Sequence, residues 1–309
     1  MSIAPFTIHQ PMKKLYLVDL DQPAEGFRNF ISSWIFISGN CTVVVDPGPQ
    51  SSIPILLDAL TRCGVQKIDY ILLTHIHIDH AGGAGLLLKH YPDAQVICHP
   101  DGIRYMINPA RLWEGSKKVL GKLAEMYGEI APISEKNIEY RDHIEAGEIV
   151  IDALKTPGHA HHHLCYRAGD ILFAGEAIGV NYPLKDGLYL RIATPPVFKY
   201  EVYRDSLKKL VSLGVSHICF AHYGCRYDAE NVFNTALKQA DNWLATVTKY
   251  YCPANELSDE DIFGELLKND RGIAYYHSLP KDVQNRERYF ALNSIRGIKD
   301  YLRRKRDKK

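Results

Sequence analysis

Short apolar segments alternate with helical patterns along the first half of the chain. Residues 15–20, 30–38 and 41–45 are rich in β-branched and aromatic side chains, a composition typical of strands. Gly39 and Asn40 separate the last two segments and predict a hairpin turn. Because helical patterns follow these strands, the first half predicts a mixed α/β fold.

Helical patterns become dominant later in the chain. A strongly helical stretch covers residues 109–127, before a strand-rich segment at 138–154. Beyond Cys225, three more helices are predicted, and their starting points are Asp228, Ser258 and Arg286. Residues 253–258 are predicted to form a hinge between the core and the C-terminal appendage. These patterns predict a core over residues 1–228 and a helical C-terminal part over residues 229–309 that covers the functional site.

The stretch THIHIDHAGG at residues 74–83 carries most of the chemical information in the sequence. It follows a largely apolar run, residues 68–73, that predicts a buried strand. His75 and His77 are two positions apart, so in an extended chain they point the same way. Asp79 and His80 come where the chain must leave the strand, and there they can reach a second point in space. A histidine-rich polar loop has no evident packing purpose here, so two adjacent metal sites are the better interpretation.

This stretch resembles the HxHxDH signature of the metallo-β-lactamase superfamily of hydrolases. Further segments match the family's ligand stations in the expected order. They are VVVDPG at 43–48, TPGH at 156–159, ILFAGE at 171–176 and FAHYG at 220–224. Each segment is a weak signal alone, but the order of all of them makes the resemblance specific across most of the chain.

The resemblance implies a four-layer αββα sandwich that holds two divalent metal ions. Zinc is the first expectation, with iron or manganese as alternatives. The residues that match the family's ligand positions fall into two sites and a bridge. One site would be His75, His77 and His159, the other Asp79, His80 and His222, and the bridge Glu176. Residues of about 103–135 would be a helical insertion between two stations.

Three features leave the site assignment open. The family usually has aspartate where this chain has Glu176, so this longer side chain could bridge, bind one metal only or swing out. His159 follows the Thr-Pro-Gly turn, whereas residues 161–163 offer three further histidines as loop or packing residues. Asp46 is a candidate for orienting a ligand histidine, although an Asp before Pro-Gly also forms turns.

The resemblance further implies a metal-dependent hydrolase that attacks a carbonyl substrate with a metal-bridging hydroxide. The chain is most similar in layout to thioesterases and lactonases of the superfamily, of the glyoxalase II type and the quinolone-pathway type. Asp79 and Tyr223 are the candidate catalytic residues, since Tyr223 adjoins His222 and its hydroxyl could assist an oxyanion. The alternatives are a persulfide dioxygenase-like oxidoreductase with a single iron and a nuclease of the same fold.

Composition narrows the expected partners and compartment. The net charge of +1 offers no field for nucleic acid or an anionic membrane, so a small-molecule substrate is expected. The seven cysteines are odd in number and include no CxxC pair, which favours reduced thiols in the cytoplasm. Neither a long apolar run nor a signal-peptide pattern is present. A homodimer is compatible with the sequence.

Overall fold

Two mixed β-sheets form the centre of the protein in the computed structural model, which describes residues 6–251 and 257–307. The predicted hinge at residues 253–258 falls largely outside these ranges. The first sheet follows the order of the chain, with β1 to β4 antiparallel and β4 to β7 parallel. Its strands are β1 (Ile8–Met12), β2 (Leu15–Asp19), β3 (Ser32–Ser38), β4 (Cys41–Val45), β5 (Tyr70–Leu72), β6 (Gln95–Ile97) and β7 (Ile138–Glu139).

The second sheet has the order β15-β14-β11-β10-β9-β8, in which β11 and β14 are parallel. Its strands are β8 (His143–Ala146), β9 (Ile149–Lys155), β10 (Leu164–Ala168), β11 (Ile171–Gly175), β14 (His217–Phe220) and β15 (Cys225–Arg226). A separate two-stranded ladder pairs β12 (Val180–Tyr182) with β13 (Tyr189–Arg191).

The described residues form ten α-helices. They are α1 (Ile53–Arg62), α2 (Ile78–Ala81), α3 (Ala84–His90), α4 (Pro100–Ile107), α5 (Ala110–Leu120), α6 (Lys122–Tyr127), α7 (Tyr200–Val211), α8 (Ala229–Tyr250), α9 (Asp259–Asn269) and α10 (Lys281–Arg306). In this part of the chain no helix is long and apolar enough to cross a membrane.

Three apolar cores separate four layers. Trp34 and Phe173 belong to the core between the two sheets. The outer face of the first sheet packs on α1 and α3 through a second core, and the outer face of the second sheet packs on α7 to α10 through a third. Both faces of β3 and β4 are covered, so nearly every residue of the two strands is buried instead of every second one. The predicted αββα sandwich is therefore confirmed.

The helical segments differ from their predicted bounds. The helix predicted at residues 109–127 is broken at Gly121, whose φ of 55° cannot continue a helix, and so α5 and α6 are separate. The last helix begins at Lys281, directly after Pro280, instead of at Arg286. Helices α8 to α10 share their apolar core with the second sheet, including Trp243 and Ile295. The division of the chain at residue 228 stays a prediction.

Candidate metal centre

The candidate site lies where four strands end at one edge of the sandwich. In the first sheet, β4 leads directly to Asp46 and β5 leads to the histidine-rich stretch. In the second sheet, β11 leads to Glu176 and β14 leads to His222. Since β4 and β5 are parallel neighbours, and β11 and β14 are as well, their carboxyl ends meet at the same edge. The fold thus gathers side chains that are distant in sequence, such as His80 and His222, which are 142 positions apart.

Three imidazole nitrogens and one carboxylate oxygen converge in the first donor cluster. His77 Nδ1 lies 3.0 Å from both His75 Nε2 and His159 Nε2. Glu176 Oε2 lies 2.9 Å from His159 Nε2 and 3.3 Å from His75 Nε2. A tetrahedral ion with ligands at 2.0–2.1 Å would separate its ligands by roughly 3.3–3.4 Å. The donor set and its spacing therefore fit a metal ion of this kind.

A second donor cluster adjoins the first. His80 Nε2 and His222 Nε2 are 3.1 Å apart, and Asp79 Oδ2 lies 3.5 Å from each of them. The side chain of Asp79 is 18% exposed, whereas those of His80 and His222 are 0% and 3% exposed. Asp79 is therefore the member of this cluster that solvent can reach.

The Glu176 carboxylate faces both clusters. Besides its contacts in the first cluster, Oε2 lies 3.5 Å from His80 Nε2, and Oε1 lies 3.7 Å from His222 Nε2. A carboxylate that bridges two metal ions would lie at this position. The sequence left open whether Glu176 bridges, binds one metal only or swings out, and the structure does not adopt the swung-out arrangement. All seven predicted ligands are brought together, and their role as metal ligands stays a prediction.

Backbone carbonyls orient two of the candidate ligand histidines. Nδ1 of His159 lies 3.1 Å from the carbonyl oxygen of Ala193, and Nδ1 of His222 lies 2.8 Å from that of Phe30. A carbonyl can only accept, so each Nδ1 carries the hydrogen. Each Nε2 then presents its lone pair to the cluster, which is the tautomer that a metal ion requires.

Asp46 acts on the site through Thr74 and not by a direct bond to a histidine. Its carboxylate accepts from the Thr74 backbone N–H at 2.8 Å and from the Thr74 hydroxyl at 2.7 Å. The hydroxyl has donated its only hydrogen, so it accepts from His75 Nδ1 at 3.0 Å. The direct distance from Asp46 to His80 Nδ1 is 4.0 Å. The predicted orienting contact thus runs through a threonine that sequence reasoning passed over.

His163 holds the backbone of the bridging position. The Glu176 N–H donates to His163 Nε2 at 3.1 Å, so His163 Nδ1 carries the hydrogen that faces Thr156 Oγ1 at 2.9 Å. Gly175 precedes Glu176 with a φ of 55°, and a Cβ there would lie 2.4 Å from His163 Nε2. The close approach of His163 therefore requires glycine at this position. Among the neighbouring histidines, His161 is exposed, and His162 is buried with its ring stacked 6.4 Å from that of His75.

The carboxylates of the cluster set the charge of its histidines. Burial, together with the neighbouring His159, lowers the pKa of His77 to about 4, so its donor is neutral and available. Burial opposes ionisation of Asp79, but His80 and His222 outweigh it and hold the pKa of Asp79 far below its usual value. Burial would also lower the pKa of His80, yet Asp79 and Glu176 raise it to about 9. The carboxylates thus attract positive charge even before an ion is considered.

Tyr223 is engaged away from the donor clusters. Its hydroxyl lies 3.2 Å from His9 Nε2, and burial and Asp19 raise its pKa. Among the described residues, no contact supports the oxyanion role predicted for it. Tyr127 lies on α6. Burial, and after it the charge of Asp79, raises the pKa of Tyr127, and Arg286 opposes this shift only in part. The side chain of Tyr127 is buried, with 1% of it exposed.

A stack of three side chains connects the C-terminal helix α10 to the second cluster. The Arg286 guanidinium lies 4.1 Å from the centre of the Phe30 ring, and Phe30 stacks on His222 with ring centres 4.2 Å apart. Arg286 is itself paired with Glu287, which also accepts from Arg191 at 2.6 Å. No local motif marks Phe30 or Arg286, so sequence reasoning had no signal for this connection.

Comparison with models of protein families identifies the family of this chain. The model of the metallo-beta-lactamase superfamily matches residues 27–222, which include all seven candidate ligands. The chain belongs to the metallo-beta-lactamase superfamily. The match covers well over half of the chain and ends at His222, so α8 to α10 lie outside it.

Individual relatives agree with this membership. The metallo-beta-lactamase fold-containing protein ST1585 of Sulfurisphaera tokodaii is 31% identical over 205 residues, which are 64% of this chain and 74% of that protein. A hydroxyacylglutathione hydrolase of Aeromonas salmonicida is 30% identical over 145 residues, which are 47% of this chain and 45% of that enzyme. The second match thus spans less than half of the relative.

Solved structures extend the similarity beyond the matched domain. The crystal structure of ST1585, an archaeal metallo-beta-lactamase superfamily protein from Sulfolobus tokodaii, has a TM-score of 0.66 at 25% identity and covers 93% of this chain and 99% of that one. The metallo-beta-lactamase family protein TTHA1429 from Thermus thermophilus has a TM-score of 0.65 at 20% identity and covers 94% of each chain. At that identity the second similarity concerns the fold alone.

Proposed function

We propose that this protein is a metal-dependent hydrolase that cleaves the thioester or lactone bond of a small molecule. The observation that carries the proposal is the pair of donor clusters that share Glu176. Several relatives are named hydroxyacylglutathione hydrolases, and a thioester is the substrate class that such a name suggests. The family itself supports hydrolysis, and the thioester or lactone specificity is our proposal.

The proposed cofactors are two divalent metal ions, with zinc first and iron or manganese as alternatives. His75, His77 and His159 would hold one ion, and Asp79, His80 and His222 the other, with Glu176 between them. When bound, the two ions would supply Lewis acidity that activates water and polarises the substrate carbonyl.

The residues of the chain prepare the site for that chemistry. Thr74 and the carbonyls of Phe30 and Ala193 fix the histidine tautomers, so the donors need no rearrangement when an ion binds. Asp79 and the half-buried His77 are the members nearest solvent, so substrate would enter beside them. Tyr127 and the insertion helices would flank this entrance and exclude water from it.

The proposed substrate is small and carries no polyanionic backbone. The net charge of +1 provides no basic track for nucleic acid, and we propose neither a nucleic-acid nor a membrane partner. A cytoplasmic location and a homodimer are further parts of the proposal that solution and cell-fractionation experiments can test.

The testing experiment combines metal analysis with a substrate panel. The purified protein would be assayed for bound zinc, iron and manganese and then for cleavage of acyl thioesters, lactones and phosphodiesters. We expect two equivalents of metal and faster cleavage of a thioester or lactone than of any phosphodiester. His77→Ala should lose both metal and activity, whereas the exposed His90→Ala should lose neither, which controls for loss of a surface histidine.

Other outcomes would redirect the proposal. One equivalent of iron with sulfur oxidation would indicate the persulfide dioxygenase-like alternative. Phosphodiester cleavage that outruns every carbonyl substrate would indicate the nuclease branch. Metal-free protein with no activity after reconstitution would refute a catalytic role.

A further inference from the structure

Two cysteines face each other at the base of the hairpin that carries His222. Cys219 is in β14 and Cys225 begins β15, and the antiparallel register pairs them directly. Among the cysteines that the structure describes, these are the two that a strand register places opposite each other. Both are free thiols in the structure.

The hydrogen-bond pattern of the hairpin brings the Cα atoms of Cys219 and Cys225 close together. The Phe220 N–H donates to the Gly224 carbonyl at 3.0 Å, so residues 220 and 224 are the hydrogen-bonded pair. The next pair outward, Cys219 and Cys225, is therefore non-hydrogen-bonded, and such a pair brings its Cα atoms to about 4.5 Å. A disulfide spans Cα distances of roughly 4.4–6.8 Å, so this pair can be bridged without separating the strands.

The hairpin is fixed to the first sheet. Trp34 Nε1 donates to the Phe220 carbonyl at 2.9 Å, and Ser32 Oγ donates to the Ala221 carbonyl at 3.1 Å. These bonds anchor the β14 end of the hairpin. The Phe220–Gly224 bond and the β14–β15 pairing keep the two strands in register, so the thiols stay opposite each other in the folded protein. A thiol pair that is preorganised in this way favours an intramolecular disulfide over adducts with other molecules.

We propose that Cys219 and Cys225 form a reversible thiol–disulfide pair, a modification site that reacts with small-molecule disulfides. The bond would close a covalent ring over residues 219–225, with the candidate ligand His222 at its midpoint. This site is independent of the hydrolase chemistry proposed above.

The environments of the two thiols assign their order of reaction. Cys225 is half-buried, and hydrogen bonds from Cys219 and Tyr227 lower its pKa despite its burial. Cys219 is 1% exposed, and burial raises its pKa. The accessible thiol with more thiolate character reacts first, so Cys225 is the attacking group and Cys219 resolves.

The exchange balances in two steps. The Cys225 thiolate attacks one sulfur of a disulfide RSSR, which breaks the S–S bond, forms Cys225–S–SR and releases RS⁻. The Cys219 thiol loses its proton to RS⁻ and attacks the Cys225 sulfur, which releases the second RS⁻. The second RS⁻ takes up the proton that Cys225 released when it ionised. The protein dithiol thus loses two protons and two electrons, and RSSR becomes two molecules of RSH.

The test is peptide mass spectrometry of the folded, full-length protein after treatment with oxidised glutathione. We expect a peptide that joins Cys219 to Cys225 and that dithiothreitol separates. Cys219→Ser should trap glutathione on Cys225, because the resolving thiol is missing. Cys225→Ser should leave Cys219 unmodified. The half-buried Cys63 lies at the end of α1, outside the strand registers, and should carry glutathione without a cross-link, which controls for access of the reagent.

Two results would overturn the proposal. One is wild-type protein that accumulates glutathione on Cys225 without a cross-link. The other is wild-type protein whose Cys63 reacts while Cys219 and Cys225 stay reduced. If a serine variant fails to fold, as judged by circular dichroism, the wild-type cross-link decides the question alone.

Discussion

Glu287→Gln should destabilise the protein more than any exposed charge change on the C-terminal helices. Glu287 is 0% exposed and is the carboxylate partner of two buried arginines. It accepts from Arg191 Nε at 2.6 Å and from Arg286 Nε at 3.0 Å. Glutamine keeps the size of the side chain but removes the charge, so two buried guanidinium groups lose their counter-ion.

The burial of this ion pair determines the expected loss in the free energy of unfolding. Removing one partner of a buried ion pair typically costs about 3–5 kcal/mol, because the remaining charge cannot be solvated. For a chain of 309 residues, whose unfolding entropy is roughly 0.65 kcal/mol/K, that corresponds to a lowering of the melting temperature of roughly 5–8 °C. The matched control is Glu260→Gln, whose partner Arg288 also lies on α10. Their side chains are 46% and 50% exposed, so this change should cost about 1 kcal/mol or less.

The measurement is urea denaturation of both variants and the wild type in the presence of a chelator, which removes any contribution from metal binding. The pH dependence gives a second readout. Burial raises the pKa of Glu287, but Arg191 and Arg286 outweigh it and hold the pKa below its usual value. The stabilisation from this carboxylate is therefore complete above the unfolded pKa of about 4.3 and is lost as the pH falls through the lower folded value. The reasoning would be refuted if, at neutral pH, Glu287→Gln lowered the free energy of unfolding no more than Glu260→Gln does.

Four further predictions concern the metal centre. Glu176→Ala should bind less metal than the wild type, since two close cations would lose the anion between them, and elemental analysis should read at most one equivalent. His159→Ala should lose nearly all hydrolase activity on the best substrate of the panel, and unchanged turnover would remove it from the ligand set. Thr74→Val cannot accept from His75, so it should weaken metal affinity about 10- to 100-fold in a chelator competition. Phe30→Leu should loosen His222 and release metal faster in the same assay, and a wild-type release rate would argue against the stack.

The sequence predicted the ligand set because most of that information is local. His75, His77, Asp79 and His80 are fixed by one strand end and the turn after it, so their spacing alone indicates convergence. His159 and His222 needed the resemblance, since only the fold brings their strands to the same edge. The αββα layering was predictable for the same reason, whereas the break at Gly121 depended on a single backbone angle.

The supporting contacts could not be predicted in the same way. Arg286 and Phe30 stand near opposite ends of the chain, and no pattern in the sequence connects a C-terminal helix with the start of β3. The facing of Cys219 and Cys225 depends on a hairpin whose strands are only four and two residues long. Adjacency of Tyr223 to the candidate ligand His222 in sequence does not direct its hydroxyl to the donor clusters, since the hydroxyl lies beside His9. The catalytic role of Tyr223 stays a prediction.

The Arg286–Phe30–His222 stack has a consequence for protein engineering. Since the matched family region ends at residue 222, a designer would treat the last helices as an exchangeable module. A graft that replaces α10 would remove the cation from the outer face of Phe30, and with it the support behind the candidate ligand His222. Chimeras of this family should therefore be cut so that the helix carrying the arginine is inherited together with the segment before β3 that contains the phenylalanine.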